Sequence, residues 1–356
     1  MNSKERVLRA INHQRPDRVP VDFWWSHEMR DKLLRHLNLK DTDQLQDFLG
    51  SDIRCIYPIY VGPKLKKFDD GSYEDFWGVI RKPYKHGGGE YDEVVFAPLA
   101  NATSLGDIEK IRWPEPDWFD YGALEEACDR YKDYAVMVGR MGIESQTIFI
   151  QTWFLRGLDQ VLFDLAERTE FVEAMVNKIM GFRVEHVKRI LSVVKGKAEI
   201  LQIADDYGMQ EGLFMNPDVW RRIFAPPFKT LCGLIHEAGL KVFLHCCGSS
   251  RKIIPDLIGL GIDILNPIQV RAAGMDPKAL KEEFGDRLCF HGAIDTQRTL
   301  PLGTKEEIIS EVRERIEVMG KDGGYILAPV HTVESDVPIE NILALYEAAK
   351  EYGRGG

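Results

Sequence analysis

Eight short apolar runs, separated by amphipathic stretches, constrain this chain more than any other feature. The runs cover residues 19–23, 52–56, 135–139, 200–205, 242–245, 262–265, 288–291 and 325–329. They are rich in β-forming residues and short enough for strands, and runs that stay apolar on both faces suit a parallel sheet covered by helices. Between them, helical spacing predicts helices over 216–238, 253–260, Pro277–Phe284, Lys305–Met319 and Ile339–Tyr352. Asn216 followed by Pro217 is a helix start, and Gly239, Gly261 and Gly285 mark helix ends. Eight strand–helix alternations predict an α/β fold of the (β/α)8 TIM-barrel type. A doubly wound open sheet is the alternative, but it normally has fewer strands and a glycine-rich dinucleotide loop. The run Gly87-Gly88-Gly89 sits between Lys-His and Glu-Tyr and reads as a hairpin turn instead.

Two segments break the alternation. Residues from about 57 to 118 hold Phe76-Trp-Gly-Val-Ile-Arg and Glu93-Val-Val-Phe on either side of the triple glycine, which predicts a β-ribbon inserted after the second strand. Residues from about 152 to 195 are helical throughout and predict two extra helices after the third strand. With no repeat or low-complexity tail, residues 1–356 read as a single domain.

Composition narrows the function classes. The chain has 356 residues, 44% hydrophobic and 29% charged, with a net charge of -10. A nucleic-acid backbone is a poor partner for so acidic a protein. The six cysteines, two of them adjacent, do not form a disulfide framework, which points to a reducing, cytoplasmic setting. No run approaches the roughly 20 apolar residues that span a bilayer, and the N-terminus lacks a signal-peptide core. The expectation is a cytoplasmic protein acting on a small molecule, with no membrane role.

In a barrel the C-terminal strand ends converge on one face, so residues there share a site whatever their separation in sequence. Those ends are polar here. His245 and Cys247, two apart on an extended backbone, point the same way, and both residue types bind zinc. His331 closes another apolar run. These three are the expected metal ligands, with an open position for substrate; the alternative is a buried thiol beside a hydrogen-bonded core histidine. Cys246 points the other way, into the packing. Asp205 and Asp206 are candidate catalytic acid–base residues, although one of them could simply cap the following turn. Trp24, Arg140, Glu144, Gln269 and His291, at or near other strand ends, are candidate substrate-binding residues.

At this point the chain resembles the uroporphyrinogen decarboxylase superfamily, which also includes the methylcobamide:coenzyme M methyltransferases and, more distantly, cobalamin-independent methionine synthase. The resemblance covers nearly the whole chain. It rests on Arg15-Pro-Asp-Arg-Val-Pro20-Val, Leu155-Arg-Gly, Ala204-Asp-Asp-Tyr-Gly-Met-Gln210, His245-Cys-Cys-Gly248, Gly261-Ile-Asp-Ile-Leu-Asn-Pro-Ile-Gln269, His291-Gly-Ala-Ile-Asp295 and Ile326-Leu-Ala-Pro-Val-His331. It implies the barrel independently of the strand count, and a homodimer.

Within the superfamily, true decarboxylases follow the first strand with an arginine-rich Met-Arg-Gln-Ala-Gly-Arg loop that holds the substrate's carboxylates. Pro20-Val-Asp-Phe-Trp-Trp-Ser-His-Glu-Met-Arg30 stands there instead. A polyanionic tetrapyrrole needs such cations when it leaves water. The methyltransferase branch carries His-x-Cys and a further downstream Cys as zinc ligands. His245 and Cys247 match the first part, and His331 replaces the last cysteine. The resemblance therefore implies a zinc-dependent methyl transfer between a methylcorrinoid, on a carrier protein, and a small-molecule or thiol acceptor. Metal-independent decarboxylation of a tetrapyrrole is the runner-up, and non-catalytic corrinoid or tetrapyrrole binding the third reading.

Overall fold

The structure, a computed structural model, describes residues 1–86, 89–139 and 146–355. Seven parallel strands form one curled sheet: β1 (Ile53–Ile56), β2 (Ala135–Val138), β3 (Ile200–Ala204), β4 (Lys241–His245), β5 (Ile264–Ile268), β6 (Cys289–Ile294) and β7 (Tyr325–Pro329), neighbours in that order. Six of the seven are buried at every position or all but the first, as strands covered on both faces require.

The eighth run, residues 19–23, does not form the strand the sequence predicts. It lies between the two edges of the sheet and closes it with isolated bridges. Val21 bridges Leu327 of β7 and Trp25 bridges Val333 just beyond it. Leu327 donates to the Pro20 carbonyl and Asp22 to Leu327, while on the other edge Asp52 donates to the Val21 carbonyl. A regular ladder fails for two reasons. Pro20 has no N–H, and the Val21 N–H is taken by the Asp52 carboxylate at 2.9 Å rather than by a strand carbonyl. The same carboxylate, fully buried, holds Arg6 and Arg18 at 2.7 Å each, tying the N-terminal helix to the closure.

The barrel is filled in layers. Ile53, Ala135, Met137, Ile200, Phe243, Ile264, Cys289 and Ile326 pack together with Val7 and Ile11 of the helix Ser3–Ile11. Two residues further along β4, β5 and β6, the same inward positions carry His245, Asn266 and His291. An apolar layer thus supports a polar one.

The sequence-predicted helices Pro277–Phe284, Lys305–Met319 and Ile339–Tyr352 form over those residues. Asp276 caps the first, and a Thr304–Glu307 capping box starts the second. The stretch 216–238 divides into Pro217–Ile223 and Ala225–Glu237. The expected two helices after the third strand are three: Phe149–Arg156, Leu158–Glu167 and Thr169–Val194. Gly157, at φ 92°, makes the first break, a conformation open to glycine and strained for other residues. None of the described helices is long and apolar enough to cross a membrane.

The insertion after β1, the second of the predicted strands, is a three-stranded antiparallel ribbon of Tyr73–Glu74, Ile80–His86 and Gly89–Phe96. Its base is closed where Ile59–Tyr60 pairs with Phe119–Asp120. The first two residues of the expected hairpin turn, 87 and 88, lie outside the described residues.

Candidate metal and substrate site

β4 ends in His245, and the chain then bends so that the Cys247 side chain returns toward the same point. The Cys247 Sγ lies 3.3 Å from His245 Nε2. The bend depends on Gly248, at φ 78°, where a Cβ would stand 2.4 Å from the backbone of Gly208 in the loop after β3. That close approach locks two strand-end loops together. Asp206 accepts the Cys247 N–H at 2.7 Å, and Gln269 Oε1 accepts the Gly248 N–H at 2.7 Å. His331, just past β7, completes the group: its ring centroid is 5.6 Å from that of His245. One donor atom each from His245, Cys247 and His331 lies within 4.8 Å of the others. Two imidazoles and one thiol at that spacing fit a tetrahedral zinc site with one open position.

The protonation states suit such a site. Burial lowers the His331 imidazole to about 4, helped by His245 and opposed by Asp206. Burial likewise lowers His245, against Asp206 and the Asn266 hydrogen bond. Both rings are therefore neutral and able to ligate. Burial, with the nearby Asp206 charge, pushes the Cys247 thiol well above its usual range, so it is a thiol until a cation reverses the balance.

Behind His245 runs a buried chain of hydrogen bonds. His245 Nδ1 meets Asn266 Oδ1 at 2.5 Å, Asn266 Nδ2 meets His291 Nδ1 at 2.7 Å, and His291 Nε2 meets Asp22 Oδ2 at 3.1 Å. Trp24 Nε1 donates to the same Asp22 oxygen at 2.9 Å, and its ring lies 5.9 Å from His245 and 5.5 Å from His291. Trp24 thus packs against both imidazoles. His291, fully buried, is placed behind the cluster rather than at the mouth.

The two adjacent acids are placed apart. Asp206, partly exposed, stays at the cluster, 3.8 Å from His245 Nε2. Asp205 is fully buried and turned away. It accepts from the N–H groups of Ile148, Phe149 and Ile150 at 3.2, 2.7 and 2.8 Å and from the Tyr207 hydroxyl at 2.6 Å. These donors include the N–H groups at the start of the helix Phe149–Arg156 that have no intrahelical partner, which a carboxylate stabilises. Burial pushes the Asp205 carboxyl up to about 7, while the N–H donors and the Tyr207 hydroxyl pull it back. Cys246 is buried away from the cluster. Arg140 and Glu144 lie outside the described residues.

A pocket of about 270 Å³ opens beside Cys247 and His331. Gln269, Arg271, Asp295, Gln297, Tyr91 and Glu334 line it. Arg271 donates through Nε to the buried Asp295 at 2.6 Å. Tyr91 comes from the ribbon, which therefore reaches over the mouth. Asn266, Asp22, Arg271 and Tyr91 escaped sequence reasoning. Asn266 and Asp22 carry a sequence signal, each a polar side chain inside an otherwise apolar run, while Arg271 and Tyr91 carry none.

The sequence profile of the uroporphyrinogen decarboxylase (URO-D) family matches residues 150–352. A methylcobamide:CoM methyltransferase of Methanosarcina barkeri is 28% identical over 162 residues, 45% of this chain and 44% of that protein. The match thus spans less than half the methyltransferase's length. A uroporphyrinogen decarboxylase of Pseudoalteromonas translucida is 22% identical over 98% of this chain and 97% of its own. A methyltransferase structure from Methanosarcina mazei superposes with a TM-score of 0.72 at 18% identity, covering 99% of each chain. That likeness speaks for the barrel fold.

Proposed function

The chain belongs to the uroporphyrinogen decarboxylase family, and we propose that within it the protein is a zinc-dependent methyltransferase. It moves a methyl group between a corrinoid, held on a carrier protein, and a small-molecule or thiol acceptor. The observation that carries this reading is the convergence of His245, Cys247 and His331 within 4.8 Å at the barrel mouth. A zinc ion held by these three would act as a Lewis acid and keep an acceptor thiol ionised near neutral pH.

The chain's own residues do the rest. Asp206 and Gln269 fix the backbone of the Cys247 loop through the N–H groups of Cys247 and Gly248. The adjoining pocket of about 270 Å³ suits a small acceptor and is too small to enclose a corrinoid, so the methyl donor approaches from above the mouth. Arg271, held by Asp295, and the ribbon's Tyr91 line the acceptor's path. The same proposal takes residues 1–356 as one domain, homodimeric, and cytoplasmic, a compartment in keeping with six free cysteines.

Full-length alignment with a decarboxylase supports a second reading, decarboxylation of a tetrapyrrole. The pocket weighs against it. Arg271 in its lining is already paired with Asp295, and Glu334 and Asp336 face the same space. That is a poor cradle for a polyanion.

The test is metal content of protein purified without chelator, compared with Cys247→Ser, followed by methyl transfer from methylcobalamin to a thiol. The expected result is about one zinc per chain, lost in the variant. Wild-type protein that takes up no zinc on reconstitution overturns the proposal.

A further inference from the structure

The hydrogen bonds behind His245 have a direction, and the direction is fixed by chemistry. An amide oxygen can only accept, so Asn266 Oδ1, 2.5 Å from His245 Nδ1, requires a proton on that nitrogen. An amide nitrogen can only donate, so Asn266 Nδ2, 2.7 Å from His291 Nδ1, requires a lone pair there. His291 then carries its proton on Nε2 and gives it to the Asp22 carboxylate at 3.1 Å. Asp22 is a suitable end to the chain, since its carboxylate oxygens already gather N–H and O–H donors: the Trp24 indole N–H, the Phe23 N–H and the Ser51 hydroxyl. Asp22, His291, Asn266 and His245 are each 2% exposed or less, so water does not compete for these contacts.

We propose that Asp22, His291 and Asn266 are positioning residues for the metal ligand His245. Together they hold its ring as the Nδ1–H tautomer, so that Nε2 presents its lone pair to Cys247 and the metal position. This inference rests on the zinc reading of the site for its consequence, though not for its geometry. The 3.3 Å approach of Cys247 Sγ to Nε2 fits the same assignment, with the neutral thiol facing a bare nitrogen. The orientation of one buried amide thus decides which imidazole nitrogen is free. If Asn266 turned over, its amine would face His245 Nδ1 and the proton would move to Nε2, blocking the ligand. His291 prevents that turn because its Nε2 proton is held by Asp22 and its Nδ1 needs a donor.

The experiment reads tautomer and affinity separately. Long-range 1H–15N spectra of histidine-labelled, metal-free protein at neutral pH report which nitrogen of His245 is protonated. Competition with a chromophoric chelator reports zinc affinity. Wild-type protein is expected to show His245 as Nδ1–H. Asn266→Leu, which removes the acceptor, shifts the ring toward Nε2–H and weakens zinc binding by about 10- to 100-fold. His291→Leu touches no metal donor, yet it frees the Asn266 amide to turn and moves both readouts in the same sense. A packing role alone would leave the tautomer unchanged.

Wild-type His245 found as Nε2–H overturns the inference even if neither variant folds. So do variants that fold with unchanged tautomer and affinity. If wild-type protein shows the Nδ1–H ring but takes up no zinc, the relay stands and the methyltransferase proposal falls.

Discussion

Tyr91, on the inserted ribbon, donates its hydroxyl across 3.0 Å to Glu334, a residue 243 positions later in the loop beyond β7. The contact pins the ribbon over the pocket beside Cys247. At Gly89, two residues earlier, a Cβ would stand 2.3 Å from a Glu334 oxygen, so the approach is close as well as bonded. Tyr91→Phe removes one exposed hydrogen bond and should cost no more than about 1 kcal/mol of global stability. Its effect should instead be local. Amide exchange over residues 89–96 is expected to quicken severalfold while the barrel strands keep their protection. Unchanged exchange in the ribbon would show that the bond does not hold it down.

Asp205 and Asp206 are neighbours in sequence, and they should separate cleanly in experiment. Asp205→Ala leaves three N–H groups at the start of the helix Phe149–Arg156 and the Tyr207 hydroxyl without their acceptor in a fully buried place. A loss of about 3 kcal/mol in urea unfolding is expected. Asp206→Asn keeps an oxygen for the Cys247 N–H at a partly exposed position, so stability should change by less than about 1 kcal/mol. Its charge lies 3.8 Å from His245 Nε2, however, and zinc affinity should fall. Equal stability losses in the two variants would contradict this division.

These cases show what the sequence could disclose. Buried parallel strands announce themselves as apolar runs, and β4 and β7 together with their polar termini were legible for that reason. Residues 19–23 are also mostly apolar, and the missing N–H of Pro20 was legible, but the capture of the Val21 N–H by the Asp52 carboxylate is a tertiary competition. His245, Cys247 and His331 were visible because a barrel gathers strand ends by its geometry. The roles of Asp205 and Asp206 depended on which way two successive side chains turn after β3, which spacing predicts only while the strand continues. Tyr91 had no signal at all, because its function depends on how far the ribbon reaches.

Stability should also depend on pH through His186, which is not part of the metal cluster. This imidazole packs against Phe119 and Phe182 and contacts the Tyr121 hydroxyl at 2.7 Å. Burial, with help from Arg183 and Arg189, lowers it to about 3. Between that value and its unfolded value of 6.5, the unfolded chain binds a proton that the folded chain refuses. Stability is then complete above pH 6.5 and declines as the pH falls. From pH 6.5 to pH 5 the loss from this one group is about 1.5 kcal/mol. Urea unfolding of wild type and His186→Phe at both pH values isolates it, since the variant should lose that much less. Parallel losses would mean that His186 is protonated in the fold.

The last of the three proposed ligands offers the sharpest test of the metal set. His331 is neutral, lowered to about 4 by burial, and in the proposed site it would offer a nitrogen where the resemblance leads one to expect a cysteine sulfur. His331→Cys replaces a neutral donor with a thiolate, and against a divalent cation the added negative charge favours binding. Zinc should therefore bind more tightly to the variant than to wild type, and His331→Ala should bind more weakly than either. Cobalt(II) substitution distinguishes a true ligand exchange from a general electrostatic gain. Thiolate-to-cobalt charge-transfer absorption should grow in His331→Cys, because a second sulfur joins Cys247, and should stay near the wild-type level in His331→Ala. Tighter zinc without the added absorption would place the new thiolate outside the coordination sphere, and it would remove His331 from the ligand set that the proposed function requires.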